Sequence, residues 1–300
     1  MDTHMLTQFW RRTRLGWAGV LTLVPLFAAG SEPQQRVPSP APTADFTIVA
    51  GDYYLKVPRT IPSGWRTVRF HNEGRDFHHA IFLKVASPQA AQTALTALDG
   101  WREDLDQPVP AALSMGGVEG SFTPAPDGDR PGEDTYSVVD LQPGWYLVIC
   151  MIPTDHRLHV NRGMHALLRV VTARNSERAP APDATLRAAE YAYTLTPRSL
   201  APGWRLVEVL NTGMAEHVAE VVRLKTGHGV AEIFAAQGSP SADPVESTSG
   251  GSTRLGPGAH AFMWLHLTPG TYVVQCPLQS GDHQSHLRHG MVTDLVVQPQ

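Results

Sequence analysis

Cysteine is nearly absent: the chain of 300 residues has two, Cys150 and Cys276, one in each half. A small secreted fold held by disulfides would use many more. Charge is sparse too. Charged residues make up 17% and the formal net charge is -4, so there is no basic field to recruit nucleic acid. The one long apolar run, Leu15 to Ala29, is shorter than the ~20 residues of a membrane-spanning helix.

What is present points elsewhere. Glycine (26) and proline (25) are both frequent, as in short strands joined by turns and unlike helix bundles. A hydrophobic share of 42% is enough for a core in each of two domains, the number the length suggests. Histidine is abundant at fourteen, mostly near the cysteines or in the stretches His71–His79 and His217. That clustering suggests metal chemistry.

The N-terminus reads as an export signal over residues 1–30. Arg11, Arg12 and Arg14 precede the apolar run, and Ala28-Ala29-Gly30 offers a cleavage site. Cleavage would leave no membrane span. The Pro-rich stretch 31–43 reads as a flexible tether.

An internal repeat organises the rest. Tyr54-Leu-Lys-Val-Pro58-Arg59, with Gly64-Trp65-Arg66, matches Tyr193-Thr-Leu-Thr-Pro197-Arg198, with Gly203-Trp204-Arg205. The match continues through Asn72-Glu-Gly74 and Asn211-Thr-Gly213 to His78 and His217. Later, Leu141-Gln-Pro143-Gly144-Trp-Tyr146-Leu-Val-Ile-Cys150 matches Leu267-Thr-Pro269-Gly270-Thr-Tyr272-Val-Val-Gln-Cys276. Domain one is expected over 44–172 and domain two over 183–298, with a polar linker over 173–182.

Within each unit, Trp65–Phe70, Trp204–Val209, Tyr136–Leu141 and Ala261–Leu267 alternate like half-buried strands. Pro88–Leu98 and Val230–Gln237 look helical and fall in the long middle connections. The fold class that follows is all-β: two tandem Greek-key β-sandwiches with short helices in the middle loops.

A mononuclear type 1 copper site needs a thiolate, two imidazoles and a weak axial thioether. The sequence offers that set twice: His78, Cys150, His159 and Met164, then His217, Cys276, His286 and Met291. Each late histidine keeps the same spacing to a Gly-Met pair. His156 and His283 also align and are alternatives to His159 and His286; the spacing to methionine favours the latter. Trp65 and Trp204 read as core or edge packing. His71, His165, His228, His260, His266 and His289 have no histidine counterpart in the other unit and read as peripheral. A disulfide between Cys150 and Cys276 would take both out of these sets.

These motifs resemble the plastocyanin/azurin-like cupredoxin family, especially exported bacterial members with Cys-x-x-Pro, Asp, His and Gly-Met in sequence. Cys150-Met-Ile-Pro153-Thr-Asp155 through His159 to Gly163-Met164 follows that pattern. Cys276 through Asp282, His286 and Gly290-Met291 follows it more loosely. The resemblance implies copper as cofactor, up to two ions per chain, one-electron transfer or copper handling, and a redox partner protein. Two features depart from it. The loop from Cys to the late His is longer, and His79 and Val218 stand where those proteins place an Asn that ties the ligand loops together. Tandem cupredoxin enzymes, the multicopper oxidases and nitrite reductases, use His-x-His pairs and histidines flanking the type 1 Cys. Neither occurs here, which argues against an enzyme. A copper-free interaction module is the alternative reading.

Overall fold

The computed structural model describes residues 40–99, 122–123, 134–155, 157–173, 178–236 and 243–299. They all belong to one compact unit, Pro38–Gln300. The expected signal, most of the tether, His156 and residues 174–177 of the expected linker lie outside the described residues.

In the first half the strands are β1 (Phe46–Gly51), β2 (Tyr54–Lys56), β3 (Thr60–Pro62), β4 (Gly64–Asn72), β5 (Ile81–Val85), β6 (Phe122–Thr123), β7 (Asp134–Leu141), β8 (Gly144–Ile149), β9 (Pro153–Thr154), β10 (Arg157–Leu158) and β11 (His165–Val171). In the second half they are β12 (Ala184–Ala189), β13 (Ala192–Thr196), β14 (Ser199–Leu200), β15 (Gly203–Asn211), β16 (Glu220–Leu224), β17 (Val245–Ser252), β18 (His260–Leu267), β19 (Gly270–Gln275) and β20 (Val292–Val297). Helix α1 occupies Pro88–Leu98, as its pattern predicts. Ser87 caps it by accepting from the Ala90 amide, and Ala91, Ala94 and Leu98 face inward. The second helix covers Val230–Ala236.

Each half is a cupredoxin-like Greek-key sandwich. In the first, β1 lies parallel to β4 and β3 parallel to β11. In the second, β12 lies parallel to β15 and β14 to β20. The chain changes sheet between β3 and β4 at Ser63. There the buried Arg66 donates back to the carbonyls of Pro62 and Ser63, and Arg205 does the same to Ala201 and Pro202. Strand β4 buries alternate residues, so Val68 and Phe70 enter a core with Ile48, Phe82, Tyr146 and Cys150. Leu186, Val209, Val221, Tyr272 and Cys276 belong to the matching core of the second half.

The halves are joined through their strands. One eight-stranded sheet runs β13-β12-β15-β18-β7-β4-β1-β2, so β7 of the first half pairs with β18 of the second. The register sets Tyr136 against Trp264, Ser137 against Met263 and Val138 against Phe262. In the alignment set by Leu141 and Leu267, Tyr136 matches Phe262 and Val138 matches Trp264. Equivalent strands therefore pair antiparallel about Ser137 and Met263, as across a twofold axis. The side chains obey the same symmetry. Trp65 meets Phe262 edge to face at 5.1 Å, and Trp204 meets Tyr136 at 5.1 Å. The two tryptophans read from sequence as core or edge packing are reciprocal contacts between halves.

The structure corrects one alignment. In the hairpin β1–β2, Ala50 pairs with Leu55; in β12–β13, Ala188 pairs with Tyr193. The counterpart of Tyr193 is thus Leu55, and both point inward, whereas Tyr54 is exposed. A slip of one residue reverses which face a strand residue takes. Matching the letters Tyr54 and Tyr193 hid that slip, which is made good before Pro58 and Pro197.

Candidate metal centres

Each centre starts with a buried asparagine. Asn72 ends β4; its side-chain oxygen accepts from the Gly74 amide and its nitrogen donates to the Asp76 carbonyl. Asn211 does the same with Gly213 and Ala215 and also reaches the Leu255 carbonyl. The loop folded this way drops His78 or His217 into the sandwich. Glycine is required in it, since a Cβ at Gly74 would lie 2.5 Å from an Asp52 oxygen and 2.7 Å from His78 Nε2.

Cysteine, late histidine and methionine come from the facing sheet, at the same end of the sandwich. Cys150 follows β8, and its amide donates to the Met164 carbonyl; Cys276 and Met291 repeat this. Between them, His159–Arg162 form a 3-10 turn closed by Gly163, whose φ of 108° is a left-handed conformation suited to glycine. Gly290, with φ 98°, has the same role.

These paths converge. His78 Nδ1 lies 3.2 Å from His159 Nδ1, and Cys150 Sγ lies 3.5 Å from the same atom. In the second half, His217 and His286 Nδ1 are 3.3 Å apart and Cys276 Sγ is 3.4 Å from His286 Nδ1. All six residues are buried, and within each trio the donor atoms lie within 4.8 Å of one another. The His79 and Val218 amides each point at a sulfur, at 3.5 Å. Met164 and Met291 are fully buried in the same cores as the cysteines. Both cysteines are free. His283 is exposed and outside the trio, so His286 takes the place left open between them.

The electrostatics suit a cation. Burial pushes the Cys150 thiol up to about 11 and raises Cys276 too. Burial also pushes His159 down to about 4 and lowers His78, His217 and His286. Each centre therefore holds two neutral imidazoles turned nitrogen to nitrogen, beside a sulfur that a cation would deprotonate. Nε2 of His217 is buried with no hydrogen-bond partner. A soft sulfur with two imidazoles fits a single first-row transition ion.

Sequence reasoning missed the residues around the trios. Asp52, at the tip of β1–β2, accepts from the amides of Arg75 and Asp76 and approaches His78 Nε2 at 3.5 Å. Burial would raise its carboxyl, but these bonds and the Arg75 guanidinium hold it well below the usual carboxylate range. Glu190 is its counterpart and accepts from Met214 and Ala215. Beside each acid stands a tyrosine, Tyr53 or Tyr191, with its ring edge-on to the late histidine at 5.3 Å. The signal was available as Asp52-Tyr53 and Glu190-Tyr191, one residue out of the register used for Tyr54. His289, set aside for lack of a histidine partner, occupies the place of Arg162. The other peripheral histidines stay outside the trios. His71 pairs with Asp134, His260 with Glu208, and His266 stacks on Trp204.

Solved structures resemble the chain as follows. Reduced auracyanin from Roseiflexus castenholzii is 22% identical over 38% of this chain and 95% of its own, with TM-score 0.28. Auracyanin A from Chloroflexus aurantiacus is 19% identical over 38% of this chain and 98% of its own, with TM-score 0.27. A copper nitrite reductase from Nitrosomonas europaea is 13% identical over 85% of this chain and 94% of its own, with TM-score 0.24. No family model and no curated protein matches. At such identities function must be argued from the site.

Proposed function

We propose that the chain is an exported copper protein with one type 1 centre per domain, acting in one-electron transfer or copper handling. The first centre would use His78, Cys150, His159 and Met164, and the second His217, Cys276, His286 and Met291. The domains would span 44–172 and 183–298. The observation that carries this reading is the pair of buried His/Cys/His trios whose donor atoms lie within 4.8 Å of one another.

Bound copper would supply a Cu(I)/Cu(II) couple at these donors. The residues supply the rest. Asn72 and Asn211 fix the loops that carry the early histidines. The amides of His79 and Val218 donate to the sulfurs and so moderate their charge. Burial of all three donors keeps water away and limits ligand movement. The partners are copper ions and a redox protein. Export rests on the basic-apolar N-terminus. Among the described residues no helix is long and apolar enough to cross a membrane.

The test is copper reconstitution of the full chain, read by optical spectrum and metal count. An intense blue band with about two coppers per chain, halved by Cys150→Ser or Cys276→Ser, is expected. Copper binding without a blue band, surviving both substitutions, would refute the thiolate-centred reading. No copper at all would leave a cupredoxin-fold interaction module.

A further inference from the structure

We propose that the hairpin tips Asp52-Tyr53 and Glu190-Tyr191 are positioning residues that tie together the two ligand loops of each centre. The inference rests on the copper reading above and deepens it. Cupredoxins of the type the motifs resemble make this tie with an Asn after the early histidine, and here that position holds His79 or Val218.

The acid of each tip grips the early-histidine loop. Asp52 takes the amides of Arg75 and Asp76, three and two residues before His78. Glu190 takes those of Met214 and Ala215, at the same spacing before His217. The tyrosine of each tip grips the late-histidine loop. Tyr53 lies edge-on to His159, its hydroxyl accepts from Arg162 at 2.9 Å, and the Arg162 guanidinium sits 4.9 Å over its ring. Tyr191 lies edge-on to His286, contacts the His289 ring at 4.4 Å and bonds Ser280 through its hydroxyl at 3.0 Å. Arg162 and His289 both directly precede the Gly-Met pair.

Backbone conformation separates this role from ordinary packing. Tyr53 has φ 69° and Tyr191 φ 57°, a left-handed region that a bulky side chain enters only at a cost. Glycine would form the same turn without that cost. Both halves keep a left-handed tyrosine where its ring meets the late histidine.

The experiment uses the full chain with Cys276→Ser, so that only the first centre is read, and follows transfer of Cu(I) to a colorimetric chelator. Asp52→Ala, which removes the oxygen that both amides share, and Tyr53→Gly should each speed release roughly tenfold. Tyr53→Phe, which keeps the ring but loses the hydroxyl's bonds to Arg162 and Asp76, should release copper at a rate between the parent and Tyr53→Gly. Melting of the metal-free Tyr53→Gly protein should not fall, because glycine relieves the strained turn. Unchanged release in both variants, or faster release matched by a lower metal-free melting point, would overturn the tie. A parent protein without a blue centre would instead overturn the copper reading, and the tie with it.

Discussion

The two centres have the same trio but different surroundings, and the differences come in matched pairs. In the first half, His79 Nε2 accepts from the Met151 amide at 2.7 Å. In the second, the equivalent positions are Val218 and Pro277, and proline has no amide hydrogen to satisfy. A histidine and a free N–H have been exchanged together for a valine and a proline. This follows from the cost of a buried, unpaired donor. The late histidines differ in the same way. His159 Nε2 meets the Thr154 hydroxyl at 2.8 Å under Arg162 and Tyr53. The matching hydroxyl, Ser280, bonds Tyr191 instead, and His286 lines a cavity of about 730 Å³ with Glu216, Arg254 and Leu278. In the first centre His78 and His159 are fully buried, and His159 Nε2 is partnered. In the second, His286 is buried but borders that cavity, and Nε2 of the other histidine, His217, has no partner.

The largest expected effect tests what the halves share. Asn72→Ala and Asn211→Ala each strip several buried hydrogen bonds and should each cost about 2–3 kcal/mol by denaturant unfolding. A cost confined to one half would break the equivalence of the two loops. Next, Trp65→Ala and Trp204→Ala should cost similar amounts, roughly 2 kcal/mol each, because they make the same contact across the pseudo-twofold. Clearly unequal values would show that one side of the junction dominates.

The histidine-proline exchange makes a sharper prediction. His79→Val alone should cost about 1–2 kcal/mol by leaving the Met151 amide unpaired. Adding Met151→Pro should recover most of that loss, giving a favourable coupling in a double-mutant cycle. Simple additivity would mean the exchange has no energetic link. The smallest effect concerns metal removal. In copper-loaded protein a chelator should strip the second centre before the first, by roughly tenfold in rate, since its outer contacts are fewer. Site-resolved loss of the blue band in the two single-cysteine variants measures the ratio.

Much of this was legible in the chain. Alternation along Trp65–Phe70, the Pro-Gly turns and the recurring Cys, His and Gly-Met placed the sandwiches. They also brought to notice the six His and Cys residues that the structure gathers into two buried trios. Less legible were the tips. Sequence identity favoured pairing Tyr54 with Tyr193, and only hydrogen-bond register shows that Leu55 is the true counterpart. His289 was passed over because it replaces an arginine; its place is recognised by the Tyr191 ring it covers.

By itself the sequence determined what local periodicity and spacing can encode: strands, turns, two helices and two sets of soft and imidazole donors at matching intervals. Tertiary structure decided everything that depends on residues meeting across sheets. It joined the halves by pairing β7 with β18, reciprocated Trp65 and Trp204, and brought Asp52-Tyr53 and Glu190-Tyr191 over the trios. It also set a cavity beside His286 of the second centre. The physical reason is that a strand's own pattern states which face is buried. Its neighbour and register are set by hydrogen bonds and packing with segments far away in the chain.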